Sequence, residues 1–290
     1  MTPGQFAANE YRDYVVYKEL ARVETRPGFK KILEELVEHE RGDFEFWKEF
    51  SSQKEFHVGR WNLMLYVMMR KVLGLTFTAR FLEGREKEAV AAYDSYLKTV
   101  SDPHIRERIE KIIEHERYHE HTLIENIGET RVKFVSSVVL GLNDGLIELT
   151  GAMTGFAFAL QSTLVVALAG AITGISASMS MAASAYQQAR HENTQEKSPG
   201  LAAFFTGTSY LVVVLILIAP FLLIPNTFTA LGLMFFFVLA IVVAVSFYSS
   251  VLLERRFIIQ CAEMLAFSVG VAIVAFILGL GLRELIGVSV

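Results

Sequence analysis

The sequence predicts an all-α chain in two parts: a soluble four-helix bundle over residues 1–131 and a five-helix transmembrane domain over residues 132–290. Three observations predict it. Residues 38–43 read EHERGD and residues 114–119 read EHERYH, an ungapped repeat at an offset of 76. The same offset relates Glu10 to Glu86, Tyr17 to Tyr93, Pro27 to Pro103, Glu40 to Glu116 and Arg41 to Arg117, so one helical hairpin stands twice in tandem. All but six of the 27 Lys and Arg, and all but seven of the 31 Asp and Glu, fall in the first 131 residues. The remainder carries apolar runs long enough to cross a bilayer.

Residues 5–26, 28–52, 83–100 and 103–129 show helical apolar spacing. In the fourth stretch Ile105, Ile109, Ile112 and Ile113 form a stripe that runs on to Glu116. In the second, Leu33, Leu36, Val37 and Phe44 share a stripe with Glu40. A carboxylate on a core-facing stripe is costly unless it is paired or bound to a cation. Carboxylates and a Glu-x-x-His offered by four facing helices make a di-metal site in a bundle. A lone Glu-x-x-His is weak, since most helical Glu are solvated. Here the repeat keeps the carboxylates twice within one molecule, and a buried metal site is expected. Between the hairpins, residues 61–82 mix Leu63, Leu65, Met68, Met69 and Phe81 with Arg70, Lys71 and Arg80. This suits a helix in the headgroup layer, and equally a buried elbow or a dimer contact.

The second half reads as helices over residues 133–160, 163–187, 201–224, 228–253 and 260–286. Connections alternate in charge: Arg131 and Lys133, then Gln161–Ser162, then Arg190 and Lys197, then residues 225–227, then Arg255 and Arg256. The alternation predicts the soluble domain in the cytoplasm and the C-terminus outside, with Arg283 as the exception. Residues 1–10 lack the basic and apolar regions of a signal peptide, which agrees. Asp144 and Glu148 are four apart and share a helix face. Asp144 lies roughly 15–18 Å from the start of its helix, near mid-bilayer. Two carboxylates there ordinarily mark an ion or proton path, an interhelical hydrogen bond being the plainer role. Gly141, Gly145, Gly151 and Gly155 let neighbouring helices approach closely. Met179 and Met181 offer soft thioethers suited to late divalent transition metals, although a lone Met in a membrane helix is ordinarily packing. The net charge of −4, with no basic patch interleaved with aromatics, excludes nucleic acid as partner. The single Cys261 excludes an intrachain disulfide framework.

Residues 5–130 resemble the rubrerythrin branch of the ferritin-like proteins, whose pattern is a Glu, a Tyr seven residues on, then a Glu-x-x-His, all repeated once. The resemblance implies Glu10 and Glu86 as single carboxylates, and Glu40 with Asp43 and Glu116 with His119 as the pairs. It implies a di-iron (Fe²⁺/Fe³⁺) or Mn²⁺ centre, with other divalent metals acceptable. Asp43 departs from the pattern, where a His is expected, so the site is expected to be asymmetric or to hold one metal more weakly. Glu38, Glu114 and His115, with His39, stand beside the pairs as candidate outer-shell partners, although His39 and His115 are ordinarily read as surface or packing residues. Tyr17 and Tyr93 are expected as core residues hydrogen-bonded to a ligand.

GLNDGLIELTGAMTGFAFAL (residues 141–160) with SMSMAASAY (178–186) resembles the vacuolar iron transporter family across all five spans. That resemblance implies exchange of Fe²⁺ or Mn²⁺ for protons by a homodimer with the path between subunits, and Asp144 and Met181 as path-lining residues. Glu148 is in position to join them. Residues 190–199 are too short for the Glu-rich insert of the plant and parasite members, and Ser184–Ala185 replaces the family's Gly-Glu. The layout resembles the prokaryotic membrane-bound ferritins. The expected function is export of Fe²⁺ or Mn²⁺ from the cytoplasm, with a domain that captures, oxidises or senses the metal. The alternatives are a membrane-anchored di-iron ferroxidase or peroxidase, and a metal sensor.

Overall fold

A computed structural model describes residues 1–126, 134–160, 162–191, 198–253 and 255–286; the side chains of residues 83, 85–88, 119–126 and 283–286 are not part of that description. Ten helices and no strand occur among the described residues. The chain divides into two compact units, Met1–Glu129 and Thr130–Val290.

The first unit holds α1 (Pro3–Val23), α2 (Pro27–Glu49), α3 (Arg60–Val72), α4 (Leu75–Leu97) and α5 (Pro103–Asn126). Three of the five open on a proline, whose fixed φ suits the first turn and whose missing N–H costs nothing there. Thr2 and Gln5 close a capping box on α1, and Asp102 Oδ1 accepts the His104 N–H at 2.8 Å at the start of α5. α1 packs on α2, α4 on α5 and α2 on α5, while α3 touches both α1 and α4. The apolar stripes meet in two clusters. One joins Phe6, Trp47, Tyr93, Ile109 and Ile112. The other joins Val16, Tyr17, Leu20, Leu33, Leu36 and Leu82.

The expected single stretch over 61–82 is two elements. It breaks at Gly74, where φ is 94° and ψ is 168°, backbone that glycine adopts freely and other residues do not. The chain turns there, and Leu75, Ala79 and Leu82 enter the core as the first turns of α4. The helix expected to start at residue 83 therefore starts at Leu75.

The second unit holds α6 (Val135–Leu160), α7 (Thr163–His191), α8 (Pro199–Leu223), α9 (Thr227–Leu253) and α10 (Phe257–Ile286). The helices α7 to α10 are long and apolar enough to cross a membrane, with mean hydropathies of 1.8, 2.3, 2.8 and 2.5. Five spans were expected. α6 has 26 residues and so is about 39 Å long. Asn143, Asp144 and Glu148 keep it below the hydropathy of the other four. It is nevertheless the hub of the unit and packs on all four. Its glycines make this close packing possible. A Cβ on Gly141 would stand 2.2 Å from the Thr206 carbonyl oxygen of α8, and one on Gly155 3.2 Å from the Ala275 carbonyl oxygen of α10. Gly141 and Gly145 thus serve the α8 contact, and Gly151 and Gly155 the α10 contact.

Candidate functional site

In the first unit, Glu10 of α1, Glu40 and Asp43 of α2 and Glu116 of α5 are 2%, 2%, 2% and 6% exposed. On α1 and α2 the acids fall between residues of the two apolar clusters, so helical periodicity turns them inward with the core side chains. Four buried acids in one small unit are unfavourable unless protons or cations compensate them. The structure records part of that compensation. Burial, and then the negative charge of Asp43, push the Glu10 carboxyl up to about 8, against the opposing hydrogen bonds of Tyr93 and Glu40. The Tyr93 hydroxyl donates to Glu10 Oε1. Burial and the negative Glu10 and Glu116 hold that phenol well above its ordinary range, so Tyr93 stays a donor.

Asp43 is compensated differently. Arg108 of α5 donates to its Oδ1 at 2.8 Å, and His115 Nδ1 lies 2.9 Å from its Oδ2. Both oxygens are engaged, so Asp43, the residue expected in place of a ligating His, anchors an α2–α5 ion pair. His39 and His115 stack with centroids 4.5 Å apart and planes 8° from parallel. They are counterparts at the offset of 76. α2 and α5 therefore meet at equivalent positions of the repeat.

Glu38 and Glu114, expected in the outer shell, are exposed. Each lies two residues from a buried Glu, about 200° around the helix, and Glu38 faces Arg41 at 3.7 Å instead. Tyr17 is buried in the apolar cluster of Leu20, Leu33 and Leu36. Glu86 and His119 have side chains outside the described residues. Among the described residues, no three of His, Cys, Asp and Glu come together closely enough to hold a metal ion. The donor chemistry of Glu10, Glu40 and Glu116 nonetheless fits a hard divalent cation, because all three are carboxylates.

In the second unit, Asp144 is half-buried and Glu148 is exposed in the single chain. Tyr210 of α8, fully buried, donates its hydroxyl to Glu148 Oε2 at 2.7 Å. The Asn143 Oδ1 is buried with no hydrogen-bond partner among the described residues. Met181 is half-buried and packs against the apolar core of the unit, whereas Met179 is 70% exposed. The small residues around them set this helix close to α8: a Cβ on Gly207 would lie 2.9 Å from Ala182 Cβ and 3.4 Å from the Ser178 carbonyl oxygen.

Residues 135–200 match the model of the VIT family. The VIT match covers α6, α7 and the first residues of α8. It includes Asn143, Asp144, Glu148 and Met181, and supports the vacuolar iron transporter resemblance of the membrane half. The first unit, Tyr210, α9 and α10 lie outside it. Comparison with curated proteins and with solved structures yields no match. The chain is an integral membrane protein by its four apolar helices and the VIT match.

Three residues of these sites carry no role in the sequence pattern: Arg108, Tyr210 and Asn143. Arg108 carried a signal. Its counterpart at the offset of 76 is the apolar Ile32, so the chain departs from its own repeat both at Asp43 and at the cation that pairs with it. Tyr210 lies 62 residues from Glu148 and carried none. Asn143 stands inside the segment 141–160 with nothing in its spacing to single it out.

Proposed function

We propose that this protein exports Fe²⁺ or Mn²⁺ from the cytoplasm in exchange for protons, and does so as a homodimer. The observation that carries the reading is the pair Asp144 and Glu148, one turn apart on the hub helix of a membrane unit and inside the segment that matches the VIT family. A mere anchor has no use for two carboxylates at that depth. α6 serves as the fifth span, covered by its neighbours where it is polar. Glu148 is the exception, exposed in one chain. A carboxylate does not face acyl chains at mid-bilayer, so a second copy covers this face and the path runs between the two. Asp144 and Glu148 supply hard oxygens, Asn143 Oδ1 a neutral oxygen and Met181 the soft thioether. Tyr210 orients Glu148. The carboxyls give up protons when the metal enters and take them back when it leaves, which couples the two flows.

The first unit is read as a ferritin-like four-helix domain on the cytoplasmic side that captures the same metal. Glu10, Glu40 and Glu116 would hold it, with Glu86 and His119 completing the set by the repeat. A bound iron pair would supply oxidation of Fe²⁺ to Fe³⁺, with dioxygen or peroxide as the oxidant that is reduced. Tyr93 fixes Glu10 in rotamer and protonation, and Asp43 holds α2 to α5 through Arg108 and His115. The buried acids alone also support the second reading, a membrane-anchored di-iron oxidase.

Flux of Fe²⁺ and Mn²⁺ into proteoliposomes under an imposed pH gradient separates the two. Proton-coupled flux that Asp144→Asn abolishes, with the first unit still loading metal, is expected. Undiminished flux in Asp144→Asn refutes the path. No flux with either metal, in folded and loaded protein, moves the function to oxygen or peroxide consumption.

A further inference from the structure

α3 carries two opposite faces. Leu63, Tyr66 and Met69 pack on the apolar cluster of the first unit, and Arg70 reaches Glu24, the C-cap of α1, at 2.7 Å. The other face is apolar too. Trp61, Met64, Leu65, Met68 and Val72 are 83%, 60%, 52%, 53% and 66% exposed. At 100° per residue these five fall in a sector about 100° wide. The core therefore fixes α3 by one side and leaves a continuous apolar stripe on the other.

We infer that this stripe rests in the headgroup layer of the bilayer, with anionic lipid as its partner. α3 has no acidic residue, and Arg60 and Lys71, at its two ends, are exposed. Basic residues flanking an apolar stripe match a surface of phosphate headgroups over acyl chains. A second copy of α3 does not match. Packed face to face, two such helices bring Arg60 and Lys71 together with no acid on either to pair them. Trp61 suits the interface, because an indole is apolar in body and carries one polar N–H. The bilayer is always within reach. Residues 127–134 join α5 to α6 and span at most about 28 Å, so the contact is effectively intramolecular and needs little intrinsic affinity. The inference rests on the membrane spans and not on the transport reading.

The full chain in vesicles of phosphatidylcholine with about one quarter phosphatidylglycerol provides the test. The chain has two tryptophans, and Trp47 is 1% exposed. Subtracting the emission of Trp61→Phe isolates Trp61. The expected result is a blue-shifted Trp61 component that loses intensity when the lipids are brominated near the headgroup and resists aqueous iodide. Met64→Glu with Met68→Glu, both at exposed positions, should restore iodide quenching and remove the bromolipid effect while the helix content stays. Resistance to both quenchers overturns the inference in favour of a protein–protein contact, and full sensitivity to iodide overturns it in favour of a solvated face.

Discussion

Gly141→Ala tests the packing that positions the membrane carboxylates. The added Cβ would stand 2.2 Å from the Thr206 carbonyl oxygen, 3.0 Å from its carbonyl carbon and 3.2 Å from Ser209 Cβ. The first two are backbone atoms, so no rotamer relieves the clash and α6 must move off α8 by roughly 1 Å, at the ~1–3 kcal/mol of an overpacked core. Two substitutions grade the effect. At Gly145 the nearest atoms are Val213 Cβ at 3.2 Å and Tyr210 Cγ and carbonyl oxygen, both at 3.5 Å, a shortfall of only a few tenths of an ångström, and the loss should be smaller. At Gly232 nothing lies within 4 Å, and Ala should be neutral or gain up to ~1 kcal/mol from its helix propensity. The assay is the temperature at which the detergent-solubilised protein loses its monodisperse peak in size-exclusion chromatography. Gly141→Ala should fall about 5 °C below Gly232→Ala, taking about 2 kcal/mol for a unit of this size. Since Asp144 lies one turn beyond Gly141, metal flux should fall with it. If Gly141→Ala melts with Gly232→Ala, the close α6–α8 contact does not exist in the protein.

Three further outcomes concern the first unit. Arg26, the Arg26 N–H and Arg70 outweigh burial and hold the Glu24 carboxyl at about 2, below its ordinary 4.5. The stabilisation is therefore complete above pH ~4.5 and lost as the pH falls toward 2; Arg70→Met should flatten this acid limb, measured by near-ultraviolet circular dichroism, by ~1–2 kcal/mol. Arg108→Gln leaves Asp43 buried beside His115 alone and should destabilise the metal-free protein by ~2–3 kcal/mol in urea titration; Arg108→Lys should recover only part, because it cannot reproduce the planar guanidinium. Gly74→Ala forces an L residue to a φ of 94° and should cost ~1–3 kcal/mol in the same titration, whereas Gly28→Ala, with open space at its Cβ, should cost less than half as much.

The tandem repeat made the helices of the first unit legible, and its departures mark the limits of that reading. Where both copies agree, as at Glu40 and Glu116 or His39 and His115, the structure buries both partners or stacks them. Where they disagree, the sequence shows the broken position and not its compensation: Asp43 in place of a His was visible, but that Arg108 answers it needed α2 and α5 set side by side. Gly74 was missed for a related reason, since apolar spacing runs through it unbroken and only the backbone angle reveals the turn. In the membrane half the polar run on α6 lowered the very signal that identifies spans, yet the same run drew attention to Asp144 and Glu148. The glycines that let α6 be the hub could be named from spacing; their partners on α8 and α10 could not. Repeat and periodicity report what one helix presents. Long-range pairs such as Tyr210 with Glu148 report what the neighbouring helix supplies in return. Periodicity on one helix therefore singles out candidate carboxylates while leaving out the neighbours that contact them.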